Sequence, residues 1–147
     1  MGKTTYPGAD LSQDRSKFSG ITMPGVDKVL LHTTESAGWP SYPAFAPQLT
    51  VDILKRKVRQ HMLLNRSAST LSDPSSTAVR ENRDNVVQIE IVGYCDDKKT
   101  ASKYHIDNWG YDEYAFLAQI VRWFHLEWGV PLVAAPKWPA YPSSYGN

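Results

Sequence analysis

An α/β fold, a sheet with helices packed on it, is what this sequence predicts, and three stretches carry that prediction. "NVVQIEIVG" alternates as a strand does: Val87, Ile89 and Ile91 face one way, and Val86, Gln88, Glu90 and Val92 the other. "DKVLLHT", Asp27 to Thr33, is an apolar run with the length of a buried strand and His32 near its end. "GYDEYAFLAQIVRWFHLEWGVP" repeats apolar residues at spacings of three and four, the helical period.

The chain has 147 residues, 41% of them apolar and 21% charged, which suits one globular domain with a real core. Residues 1–26, rich in Gly, Pro, Ser and charge, read as an irregular arm packed on a domain spanning 27–147. "ESAGWPSYPAFAP" holds three prolines and a glycine and must be a loop, with exposed aromatic faces. "LTVDILKRKVRQHMLL" reads as paired strands or as one strand with a turn near Lys55. In its second part Arg59, His61 and Leu63 share one face, opposite Val58, Gln60, Met62 and Leu64. "NRSASTLSDPSS" suggests a short helical turn that Pro74 ends. In the long helix Asp112 is placed to cap the start. Leu117, Ile120, Val121, Phe124 and Trp128 form the buried stripe, and Gly129 with Pro131 ends it. A short strand is possible from Val130 to Ala134. No internal repeat is present.

A formal charge of +1 argues against a nucleic-acid or anionic-membrane partner. No apolar run approaches a membrane span, and the N-terminus does not read as a signal sequence, so synthesis in a cytoplasm is expected. The single cysteine, Cys95, excludes an internal disulfide. It is followed by Asp96 and Asp97 and has no cation beside it, so it reads as an inert thiol. G-x-S-x-G, Walker and G-x-G-x-x-G motifs are absent.

Four histidines, His32, His61, His105 and His125, could serve a metal, but none lies four residues from another. His32 reads either as a structural strand-end residue or as a ligand. Glu90, a carboxylate inside a strand, is either paired with Lys or Arg on a neighbouring strand or is a general base raised by burial. His61 is a hydrogen-bond partner or pocket wall, or simply a packed strand histidine. His105, in "KYHIDNWG", is expected to face solvent, and His125 to lie on the helix surface or at the core edge.

Taken in order, "VLLHTTES", "GWPSY", "LTV", "RQHMLLNRSASTL", "ENRDNVVQIEIVG" and a long helix ending "WGVPL" resemble a known pattern. From about Asp27 to about Pro139 the chain resembles the type-2 N-acetylmuramoyl-L-alanine amidase domain, similar to peptidoglycan recognition proteins, in its phage endolysin version. The resemblance implies a central mixed β-sheet flanked by helices and one zinc ion in a surface groove. It implies His32 as the first zinc ligand and Glu90 as the catalytic carboxylate assisting a zinc-bound water. Thr33, Trp39, Tyr42 and His61 would contact substrate. The bond cut would join the lactyl group of N-acetylmuramic acid to L-alanine of the stem peptide. Bacterial peptidoglycan is then the partner, the protein a monomer, and its site of action the cell wall after holin-type release. Two departures stand out. Many relatives carry a tyrosine where Gln60 stands, and their remaining zinc ligands follow the "WGVPL" region in a segment this chain does not reach. The expected domain is therefore C-terminally incomplete, its alternative function a non-catalytic muropeptide-binding module.

Overall fold

A computed structural model describes residues 2–68 and 84–133. Strands β1 (Lys28–Thr33), β2 (Leu49–Asp52), β3 (Lys57–Gln60) and β4 (Val86–Ile91) form one sheet in the order β1-β4-β2-β3. β4 runs parallel to both β1 and β2, and β2 runs antiparallel to β3, so the sheet is mixed. Among the described residues α1 (Tyr111–Trp128) is the one α-helix, accompanied by short 3-10 turns. None of these residues forms a helix long and apolar enough to cross a membrane.

The two-residue period sorts the sheet into faces. Val87, Ile89 and Ile91 of β4 join Leu49 and Val51 of β2 and Val58 of β3 in the main core. Ile120 and Phe124 of α1 are fully buried in the same cluster. Leu117 and Trp128 pack beside them as the periodicity predicts; Phe116 and Trp123 take part where Val121 was expected. The helix start also differs. Gly110, not Asp112, is the N-cap, and its N–H donates to Glu113 Oε2 at 2.9 Å. A residue further inside, Asp112 instead adds negative charge to the first turn. At the other end Gly129 takes φ 76°, and its N–H donates to the His125 carbonyl at 3.0 Å.

The expected turn near Lys55 is a tight hairpin between β2 and β3. Buried Asp52 accepts from the Lys55 N–H at 3.0 Å and from its Nζ at 2.8 Å, while Arg56 adopts φ 52°. Gln48 joins elements that share no sequence neighbourhood. Its Nε2 donates to the Arg66 and Val86 carbonyls at 2.8 and 3.1 Å, and its Oε1 accepts from the Gln88 N–H at 2.7 Å.

The arm is woven into the domain. Asp10 pairs along β3, donating to the Val58 carbonyl at 2.9 Å and accepting from the Gln60 N–H at 3.0 Å. Met23 and Val26 are buried in the main core, and Tyr6 meets Trp123 edge-on at 5.1 Å. Lys3 reaches the far end of α1: its Nζ lies 3.2 Å from Glu127, and its carbonyl accepts from Trp128 Nε1 at 3.0 Å.

Three other expectations change. Residues 130–133 form no strand, Pro131 having no N–H to give a ladder, and Ala134 lies outside the described residues. Over 65–68 the chain makes a turn and an isolated bridge, Thr22 with Arg66, in place of a helical start; 69–76 lie outside the described residues. His105 is buried rather than solvent-facing, because its Nδ1 accepts from the Asp107 N–H at 3.3 Å and caps the Ile106–Asn108 turn. His125 is exposed on α1, with Nδ1 2.9 Å from the Val130 carbonyl.

Because Met23 belongs to the core, Met23→Ala should lower the free energy of urea unfolding by about 2–5 kcal/mol. A loss under about 0.5 kcal/mol would instead place the arm on the surface.

Candidate functional site

The register of the parallel strands builds the site. Glu90 of β4 stands opposite His32 of β1 and opposite Thr50 of β2, and Thr50 stands opposite Arg59 of β3. These four residues form one row across all four strands. They occupy the face turned away from the main core, since Ile89 and Ile91 on either side of Glu90 point into it.

The "GWPSY" loop comes down onto this row. The Tyr42 hydroxyl donates to Glu90 Oε2 and lies 3.0 Å from Thr50 Oγ1. Thr50 Oγ1 is also 3.0 Å from His61 Nε2, and His61 Nδ1 is 3.0 Å from the Gln13 carbonyl. A carbonyl only accepts, so neutral His61 carries its proton on Nδ1 and takes the Thr50 hydroxyl proton at Nε2. Tyr42 meets His61 edge-on at 5.1 Å, and the Arg59 guanidinium lies 4.1 Å over the Trp39 ring. Trp39 and Tyr42 are thus half-buried, tied down by the cation and the hydroxyl bonds, and Phe45 alone of the loop's large aromatics stays mostly exposed.

Trp39, Tyr42 and His61 line a pocket of about 160 Å³, together with Thr50, Arg59 and the arm residues Gln13 and Arg15. Thr33 stands apart from it. Its hydroxyl turns to Glu35 and to Cys95 Sγ, the latter at 3.3 Å. The thiol itself is held above its ordinary range: Thr33 pulls it down, but the Glu35 carboxylate and partial burial outweigh that.

Electrostatics separate the members of the row. Burial lowers the His32 imidazole to about 4, so at neutral pH it is uncharged, and its Nδ1, 3.8 Å from Glu90 Oε1, forms no ion pair there. Burial raises Glu90 while the Tyr42 hydroxyl opposes the rise. Among the described residues no Lys or Arg forms an ion pair with it. Burial also lowers His61, and Arg15 and Arg59 add to the effect against the Gln13 carbonyl. Tyr42 is held well above its usual range by burial and by Glu90.

His32 Nε2 is buried without a hydrogen-bond partner, the kind of donor atom a metal satisfies. The donor set stops at His32 and Glu90, however. Among the described residues no three His, Cys, Asp or Glu side chains are grouped to hold an ion. The residues at hand do not make up a zinc site.

Sequence reasoning did not single out Thr50, Arg59, Arg15 or Gln13. Arg59 had a visible signal, the face it shares with His61. Thr50 is hidden in an apolar run, and the arm residues carry no periodicity at all. Comparison with protein-family models, with curated proteins and with solved structures gives no match.

His32 and His61 both bind protons more weakly in the folded chain than their ordinary value of 6.5. The unfolded chain therefore protonates first as pH falls. Their contribution is complete above about pH 6.5 and is lost toward pH 4. Unfolding free energy measured by denaturant between these values should drop. His61→Gln should flatten the slope by at most about 1.4 kcal/mol per pH unit. An unchanged slope would contradict the assignment of His61 as buried and neutral.

Proposed function

We propose that this chain is an amidase-type peptidoglycan domain of the phage endolysin kind, acting on the amide between N-acetylmuramic acid and L-alanine of the stem peptide. The observation that carries the reading is the row His32–Glu90–Thr50 on the sheet face turned away from the main core, with Tyr42 bonded to Glu90. The order of motifs along the chain and the mixed sheet with α1 on its other face support the same reading.

In this reading Glu90 is the proton carrier. Tyr42 occupies Oε2 and leaves Oε1 toward His32, the direction from which a water would be deprotonated. A carboxylate raised by burial takes a proton from water more readily than an ordinary one, and the departing amine, more basic still, then receives that proton. Hydroxide adds to the lactyl carbonyl, the carbon–nitrogen bond breaks, and the amine leaves with the proton Glu90 held. His32 is the ligand this chain offers zinc, and no step here is assigned to the metal.

One observation favours a second reading, a non-catalytic muropeptide binder: the donor set that stops at two among the described residues. Three measurements separate the readings. Metal analysis after zinc loading, release of L-alanine amino groups from purified peptidoglycan, and sedimentation with the same walls are each made for wild type and Glu90→Gln. The amidase reading expects zinc near one per chain, and release that falls about 100-fold or more in Glu90→Gln with wall binding kept. Wall binding with no zinc and no release selects the binder. Absence of all three rejects both.

A further inference from the structure

The pocket beside the polar row has a chemical character of its own, independent of the amidase reading. Its lining contains two guanidiniums, Arg15 and Arg59, and no carboxylate. Each arginine is anchored by part of its head. Arg15 donates Nε to the Tyr42 carbonyl at 2.8 Å and Nη1 to the Asp14 carbonyl at 2.9 Å. Arg59 lies over the Trp39 ring, with Nε 3.4 Å from Asp10 Oδ2. Nη2 of Arg15 and both amino groups of Arg59 have no acceptor among the described residues. The acidic groups near the pair are Asp10 and Asp14, outside the lining; Ser12 and Ser16 bonds hold both below the usual carboxylate range. Both cations act on His61, which is buried in the pocket wall. The wall cannot answer them, because the His61 proton is committed to Gln13 and the Thr50 proton to His61.

We propose that this pocket is a subsite for a carboxylate, held between Arg15 and Arg59 with Trp39 packed against one guanidinium. A planar anion with two oxygens matches an arginine fork that is already partly anchored, so little side-chain freedom is lost on binding. The tripod of a phosphate would need further donors, and the committed protons of His61 and Thr50 do not supply them. A pocket of this volume takes a small acid or the end of a peptide.

The test compares N-acetyl-L-alanine with N-acetyl-L-alanine amide, equal in shape but not in charge, by calorimetric titration of the full chain. The acid should bind roughly tenfold or more tightly than the amide, a preference that shrinks as salt is raised. Arg59→Gln should abolish the preference. Arg15→Lys, which keeps the charge but not the fork, should weaken it, with circular dichroism showing that both variants fold. Equal binding of acid and amide by wild type overturns the proposal, as does a preference that survives Arg59→Gln in a folded variant. Arginine-dependent binding of inorganic phosphate without binding of the acid overturns the carboxylate assignment. None of these outcomes depends on whether the chain cuts peptidoglycan.

Discussion

The register of β4 between its two parallel neighbours is the constraint from which the rest follows. A slip of one residue on either side would turn Glu90 into the apolar core and Ile89 out of it. That penalty, a buried carboxylate without partners on one face and exposed branched chains on the other, locks the alignment. With the register fixed, His32, Glu90, Thr50 and Arg59 have no choice but to stand in one line. The Gln48 amide reinforces the lock, since it bridges the Val86 carbonyl and the Gln88 N–H of the same strand.

Sheet alternation also explains which parts of the site could be read in advance. Glu90 and His32 were visible because a charged or titratable residue interrupts an apolar run, and the structure brings both to the same row. His61 and Arg59 share a face by the two-residue period, and both line the pocket. Thr50 could not be seen, because nothing in "LTVD" separates its polar role from ordinary strand propensity. Its part follows only from pairing. Long-range partners of Arg15 and Gln13 are harder still, since a segment without periodicity gives no clue to where it docks.

The helix shows the opposite balance. Its stripe and its glycine end are legible because they depend on local geometry. Its start is not, because Gly110 satisfies the first turn through the side chain of Glu113 rather than through its own. His105 misleads for a similar reason. Polar neighbours suggest exposure, yet Tyr94 donates its N–H to the Tyr104 carbonyl and accepts from the Ile106 N–H, and the ring between them is buried.

The clasp between Lys3 and the end of α1 has a consequence for the order in which this chain acquires its shape. The two partners are separated by more than 120 residues, so on a ribosome the first segment is made long before the helix it must meet. Asp10 and Met23 do not wait for it, since their backbone partners Val58, Gln60 and Asn65 are made well before the helix. Closure of the Lys3 clasp itself is the late, non-local event. The pocket, whose lining runs from Gln13 to His61, draws on no residue of that helix, so the last clasp seals the fold without building the site.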